Sequence, residues 1–505
     1  MVMIFFIASR ALGLARDMVI SHQFGTSREL DAYFAAFNVP DFIFNVIAGG
    51  ALGSAFIPTF SAALATGDAR RAWRLARAIT TLTGIAMTAL AALFAVFAQP
   101  LVAATVAQGF APAEQRLTAD LMRWMLVTPI VFGVSGIVMG ILNSHQHFLL
   151  PALAPVMYNA AIIAGAVWLT PMLGVAGLVI GVIAGSFLHL LVQLPWFYRF
   201  RSQSADAQLW DFDLQSPDVR EVIRLMLPRA FGIAAVQINF LVNTILASAL
   251  PSGAIAALSY AWRVMLLPEG VVGQSLATAV FPTFSTQTAR RELAEFRDTF
   301  STTLRATLFL TIPASVGLIA LGAPYIALLF QRGEFDAEST RQTTWALQFF
   351  ALALCAHSSL EILARAFYAL HDTFTPVIVG VAAMALNIGL SVALIAPLAH
   401  GGLALANSLA TILETITLII LLRRRIGDID ARRIALSTAR MIVAATAMGA
   451  ALLAFANAFA GAPPLSVAGF GTLIGATIYF ATAFALRAEE IGFVLRRFQR
   501  HAKKS

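Results

Sequence analysis

The sequence predicts an all-α polytopic membrane protein. The expected architecture is 14 transmembrane helices, arranged as two six-helix lobes related by a pseudo-twofold axis along the membrane normal, plus a C-terminal helix pair. Three observations predict it: a membrane composition, apolar segments of spanning length along almost the whole chain, and an internal repeat. Of 505 residues, 59% are hydrophobic and only 12% are charged, whereas soluble domains carry about 25% charged residues. The apolar segments leave no room for a sizeable soluble domain.

A bilayer-crossing helix needs about 20 apolar residues. Such segments fall near 1–22, 29–65, 75–107, 117–143, 150–170, 174–200, 220–249, 254–286, 296–330, 340–370, 376–397, 402–422, 434–460 and 464–486. Several exceed the hydrocarbon thickness and are expected to tilt or project into water. The opening "MVMIFFIA" has no basic stretch before it and no small-residue cleavage site after it, so it reads as a retained first helix. Its abrupt start leaves room for a missing upstream stretch. The single cysteine, Cys355, forms no internal disulfide, and no Cys/His cluster has zinc-ligand spacing.

The net charge of +8 does not point to nucleic acid, because the basic residues cluster between apolar segments as topology signals. With the N-terminus cytoplasmic, the inner connections and tail, "DARRAWRLAR" to "RRFQRHAKK", hold 21 Lys and Arg, against 4 outside: Arg28, Arg116, Arg332 and Arg341. Both termini are therefore expected in the cytoplasm.

The repeat is read from ordered matches. "IAGGALGSAFIPTFS" (47–61) aligns with "VVGQSLATAVFPTFS" (271–285) at seven of fifteen positions, Pro58 matching Pro282 at an offset of 224. Pro151 and Pro376, and the Gly-Leu pairs at 177 and 402, recur at 225, and "RALGLA" from Arg10 corresponds to "RAFGIA" from Arg229. An offset of six spans gives both copies one orientation. The expected divisions are 1–205 for the N-terminal lobe, 206–430 for the C-terminal lobe, and 431–505 for the appended pair and basic tail.

Charges inside apolar spans are costly and usually face protein or a water-filled cavity. "SRALGLARD" places Arg10, Arg16 and Asp17 in span one, Arg10 and Asp17 about two turns apart. Two readings stay open: Asp17 holds an arginine whose fork is offered to an anion, or the pair closes and only joins helices. Asp31 is expected near the outer mouth. Asp41 follows Pro40, which marks either a structural kink or a gate. In the second copy Arg263 is the candidate anion ligand, with Glu269 as its neutralising partner or an inner-surface group. Asp120 with Arg123, and Glu361 with Arg365, have the spacing of helical ion pairs. His189 and Glu414 are isolated, and read as hydrogen-bonded scaffolding or as a proton relay. No P-loop, HExxH or G-x-S-x-G motif is present, so transport has no ATP site to draw on.

"SRALGLARD", "DAYFAAFNVPD", "GALGSAFIPTFS" and "RAFYALHDTFTPV" together resemble the MurJ (MviN) family of lipid II flippases, within the multidrug/oligosaccharidyl-lipid/polysaccharide exporter superfamily. The resemblance covers essentially the whole chain. It implies a non-enzymatic carrier of the bacterial cytoplasmic membrane, moving undecaprenyl-diphosphate-linked disaccharide-pentapeptide outward for peptidoglycan synthesis and cell shape. It implies substrate contacts at Ser9, Arg10, Arg16 and Arg263, with Asp17, Asp31, Asp41 and Glu269 in supporting or gating places. The appended pair would line a groove for the lipid tail.

Two departures stand out. A second-helix arginine of many relatives falls at Phe44, and a nearby acid at Gly49. The carboxylates of a sodium site in some relatives are replaced by Asn243 and Ser391, with Asn387 and Asn407 nearby, which leaves Na+, H+ or the membrane potential as the coupling source. No nucleic acid, metal or other cofactor is expected, and the carrier is expected to work as a monomer among membrane lipids. The alternatives are an exporter of another lipid-linked oligosaccharide or a multidrug/ion antiporter of the same superfamily. A scaffold or receptor without transport is a further rival, and an enzyme acting on lipid-linked sugars a weaker third.

Overall fold

The computed structural model describes residues 2–49, 51–202, 213 and 215–492. The expected lobe boundary at 205–206 and most of the basic tail lie outside them. Within the described residues every regular element is helical. Among the described residues eleven helices are long and apolar enough to cross a membrane, or twelve when the pair Ala337–Ala351 and Leu354–Ala369, bent by 47°, is taken as one span. Two expected spans differ from these in kind. Val2–Phe24 is 23 residues long but carries Arg10, Arg16 and Asp17. Arg28–Phe44 contains Pro40 and runs into a π-helical turn, Asn45–Gly49, before Ala51–Ala65 begins.

The duplication is visible in the elements. The π-turn Asn45–Gly49 has a counterpart at Gly270–Gln274, 225 residues on. Ala51–Ala65 and Ser275–Ala289 are offset by 224 at both ends, as are Ala69–Val96 and Leu293–Ala320. The copies thus share element lengths as well as the "PTFS" motif.

The chain forms two compact units, Met1–Ala256 with Arg332–Phe335, and Ala257–Gln331 with Asp336–Ser505. The first packs Phe56, Phe60, Trp73, Ile137, Ile141 and Val222 into one buried cluster. A fork from Arg71 to both oxygens of Asp218, at 2.6 and 2.5 Å, ties the start of Pro217–Ser248 to Ala69–Val96. Gly177, Gly181 and Gly185, four apart, let Val175–Leu191 approach its neighbour closely: a Cβ on Gly165 would lie 2.6 Å from the Gly181 Cα. Small residues are how membrane helices gain packing contact when lipid is as apolar as they are. At the end of Val2–Phe24, Gly25 (φ 56°) lies against the Glu334 backbone and Gly333 (φ 59°) against His22, and the Glu334 N–H donates to the His22 carbonyl at 3.0 Å. That bond satisfies one of the carbonyls a helix end leaves open.

In the second unit, Phe284, Phe296, Phe300, Ile362, Phe367 and Leu418 form one cluster, and Phe309, Met441, Met448 and Tyr479 join another. Arg305, 1% exposed, bonds Glu489 and Glu490 at 2.9 Å each. Ser437 donates to Glu490 at 2.7 Å, and Arg433 reaches Glu489 at 2.6 Å. The Leu293–Ala320 helix is thereby fastened to the segment that follows Pro464–Ala485. Arg433 and Arg305 hold the Glu489 carboxyl below the usual glutamate range. Its pairing therefore contributes stability above the unfolded value of about 4.3, and this is lost as pH falls below it. Melting curves in detergent should fall more steeply with acid for the wild type than for Glu489→Gln; parallel curves would show that the pairing contributes nothing.

Candidate functional site

Val2–Phe24 places Ser9 half-buried, Arg10 exposed, Arg16 half-buried and Asp17 buried. The Arg16 Nε and Nη2 donate to Asp17 Oδ1 at 3.1 and 2.9 Å, and Nη1 donates to Asn159 Oδ1 at 3.2 Å. Asn159, on Leu149–Ala164, is itself oriented, its Nδ2 donating to the Pro155 carbonyl at 3.0 Å and to the Ser9 carbonyl at 3.5 Å. Three of the five N–H donors of the guanidinium are engaged in these bonds, and the side chain keeps 21% exposure. The Arg–Asp pair is therefore local to one helix, and the link to the neighbouring helix runs through Asn159. Sequence reasoning missed Asn159. Its signal was a lone amide among apolar residues, with nothing to connect it to a site 143 positions away.

Asp31 is fully buried and caps a remote helix. Its Oδ2 accepts from Gly253 N–H at 2.7 Å and its Oδ1 from Ala256 N–H at 2.8 Å, at the start of Ala254–Glu269. A carboxylate on the first N–H groups of a helix satisfies open donors and the positive end of the helix dipole. Arg28 supports it from 3.7 Å, donates to the Leu250 carbonyl at 3.2 Å, faces Glu114 at 3.7 Å and lies 4.8 Å over the Phe110 ring. Asp41 is exposed, one turn before the Asn45–Gly49 π-turn.

Where the resemblance places a further arginine, Phe44 packs on Phe132, which meets Tyr158 and His189 edge-on. An aromatic cluster thus fills that position. His189 bonds Ser135 at 2.7 Å. Asp120 bonds Arg123 at 2.6 Å, and Glu361 bonds Arg365.

Arg263 belongs to the other unit, half-buried within Ala254–Glu269, and Glu269 is buried at that helix's last residue, before the second π-turn. Of the four amide and hydroxyl positions, Asn387 and Ser391 meet each other at 3.4 Å, while Asn407 bonds His357 at 3.3 Å. Asn243 lies half-buried in Pro217–Ser248, in the first unit. Among the described residues no three His, Cys, Asp or Glu side chains are grouped to hold a metal ion.

Among the described residues, eleven helices, or twelve with the bent pair, are long and apolar enough to cross a membrane, elements recur at a fixed offset, and one apolar helix holds an oriented arginine; together they define a polytopic membrane protein. The family model described as "Lipid II flippase MurJ" matches residues 20–487. The chain is 31% identical over 437 residues to "Lipid II flippase MurJ" of Burkholderia cenocepacia, covering 83% of this chain and 82% of that one. It is 29% identical over 465 residues to "Probable lipid II flippase MurJ" of Haemophilus influenzae, covering 88% and 89%. A solved structure, "Lipid II flippase MurJ, inward closed conformation", superposes with TM-score 0.78 at 26% identity, over 96% of this chain and 99% of that one. A solved multidrug resistance MATE family transporter of the MOP superfamily, at 17% identity and TM-score 0.69 over 84% of this chain and 96% of that one, shares the fold. The chain belongs to the lipid II flippase MurJ family, and is a membrane transporter and not an enzyme.

Proposed function

We propose that this chain carries lipid II from the cytoplasmic to the outer leaflet of the bacterial inner membrane by alternating access, with Arg10, Arg16 and Arg263 holding the diphosphate. The observation that carries this reading is the Arg16 fork, oriented by Asp17 and Asn159 and still partly exposed. A diphosphate calls for planar, permanently charged donors, and arginine supplies two at once. Phe44 in place of a cation places more of the binding on these three residues.

The proposed topology has fourteen spans. To the twelve above it adds Val2–Phe24, and the run Arg28–Phe44 through Ala51–Ala65. They form two pseudo-twofold lobes, 1–205 and 206–430, and the pair in 431–505, as a monomer with both termini inside. Binding neutralises the arginines' mutual repulsion and lets the inner side close. An inside-negative potential favours an anion moving outward by about 2.3 kcal/mol per charge per 100 mV. Asn243, Asn387, Ser391 and Asn407 offer sodium only neutral oxygens, so the reading assigns the drive to potential or protons.

The test is leaflet accessibility of lipid II in vesicles holding the purified chain. Protein-dependent appearance in the opposite leaflet, faster with an imposed potential, is the expected result. A rate equal to that of protein-free vesicles would overturn the reading.

A further inference from the structure

Glu414 is the fifteenth of 27 residues in His400–Ile426, a helix long and apolar enough to cross a membrane. Three other acids named above are engaged: Asp17 by Arg16, Asp31 by two backbone N–H groups and Glu361 by Arg365. Glu414 has neither a hydrogen bond nor an ion pair among the described residues. It is half-buried, and one carboxyl oxygen points at Gly380 of Phe374–Leu398, where an added Cβ would lie 3.3 Å away.

Among the described residues, the helices packed against it hold no counter-charge for it. Phe374–Leu398 contains no titratable side chain. On Leu354–Ala369 the titratable groups are Cys355, His357, Glu361, Arg365 and Tyr368; His357 bonds Asn407, and Glu361 and Arg365 bond each other. On Ala337–Ala351, Glu338 and Arg341 pair at 2.6 Å. On its own helix, His400 bonds the Gln342 carbonyl at 2.9 Å, and Arg423, Arg424 and Arg425 lie in the last turn. Asn407 is seven residues before Glu414, hence on the same face two turns away.

An isolated carboxylate in an apolar region takes up a proton rather than stay charged, and gives it up when water arrives. A sodium ion would need several oxygen ligands, and the facing glycine supplies no side-chain oxygen. We propose that Glu414 is a proton-binding site, and that one proton taken up there from the outer side and released inside is exchanged for each lipid II moved outward. The step is carboxylate plus proton to carboxylic acid and back. The exchange rests on the flippase reading; the binding of the proton does not.

The first measurement treats the full chain in lipid nanodiscs with the apolar reagent dicyclohexylcarbodiimide, which attacks protonated carboxyl groups, and maps the adduct by mass spectrometry. Glu414 should be labelled, with labelling falling about tenfold per pH unit once pH exceeds its pKa. No adduct on Glu414 at any pH would overturn the proton site, whether or not the chain flips lipid II. The second measures flipping under an acid-outside gradient in wild type, Glu414→Gln and Glu414→Asp. Acceleration in wild type and Asp, and its loss in a Gln variant that still responds to potential, is the expected pattern. A wild type insensitive to the gradient, or a Gln variant as sensitive as wild type, would overturn the exchange. A wild type that does not move lipid II at all would instead remove the flippase reading.

Discussion

Arg16→Ala is expected to abolish lipid II flipping while the chain still inserts and folds. The guanidinium is set by two bonds to Asp17 and one to Asn159, so its remaining donors point in a fixed direction before any ligand arrives. Two charge-assisted bonds lost to a phosphate oxygen pair amount to about 3 kcal/mol, or roughly a hundredfold in affinity. Arg16→Lys should restore little, because an ammonium cannot make the paired contact. Asn159→Ala keeps the charge and loses the orientation, so it should fall between wild type and Arg16→Ala. The check is the initial flipping rate in vesicles with matched amounts of folded protein. Equal rates for wild type and Arg16→Ala would remove Arg16 from the substrate's path.

Asp31→Ala is expected to destabilise the first unit by about 2–4 kcal/mol, because two buried N–H groups lose their charged acceptor. Both carboxyl oxygens are used, one on Gly253 N–H and one on Ala256 N–H, and Arg28 would remain half-buried beside the gap. Asp31→Asn should cost less but not nothing. Its single acceptor oxygen can serve one N–H, while its NH2 group confronts the other. Thermal unfolding in detergent reads both. If Asp31→Ala melts with the wild type yet fails to transport, Asp31 acts on the substrate and not as a cap.

The duplication was legible because it is written in side chains: the shared "PTFS" and prolines at a constant offset mark the elements whose boundaries recur 224 or 225 residues apart. The paired π-turns were not, since "NVIAG" and "GVVGQ" carry no residue that demands a wider turn. The membrane class followed from composition alone. The first helix was legible by its charges, for a charged residue in an apolar span calls for an explanation. What those charges touch was hidden, because Asn159 is brought in by folding across 143 positions. Asp31 was expected near the outer mouth, and its capping bonds to Gly253 and Ala256 are backbone chemistry that leaves no trace in sequence. Phe44 was legible as a missing cation, though not as part of an aromatic cluster with Phe132.

The most direct measurement is equilibrium binding of lipid II to the purified chain, compared with the same lipid carrying a single phosphate. The account predicts tighter binding of the diphosphate in wild type, and a triple Arg10→Ala, Arg16→Ala, Arg263→Ala variant that no longer distinguishes the two lipids. A triple variant that keeps the wild-type preference would contradict it.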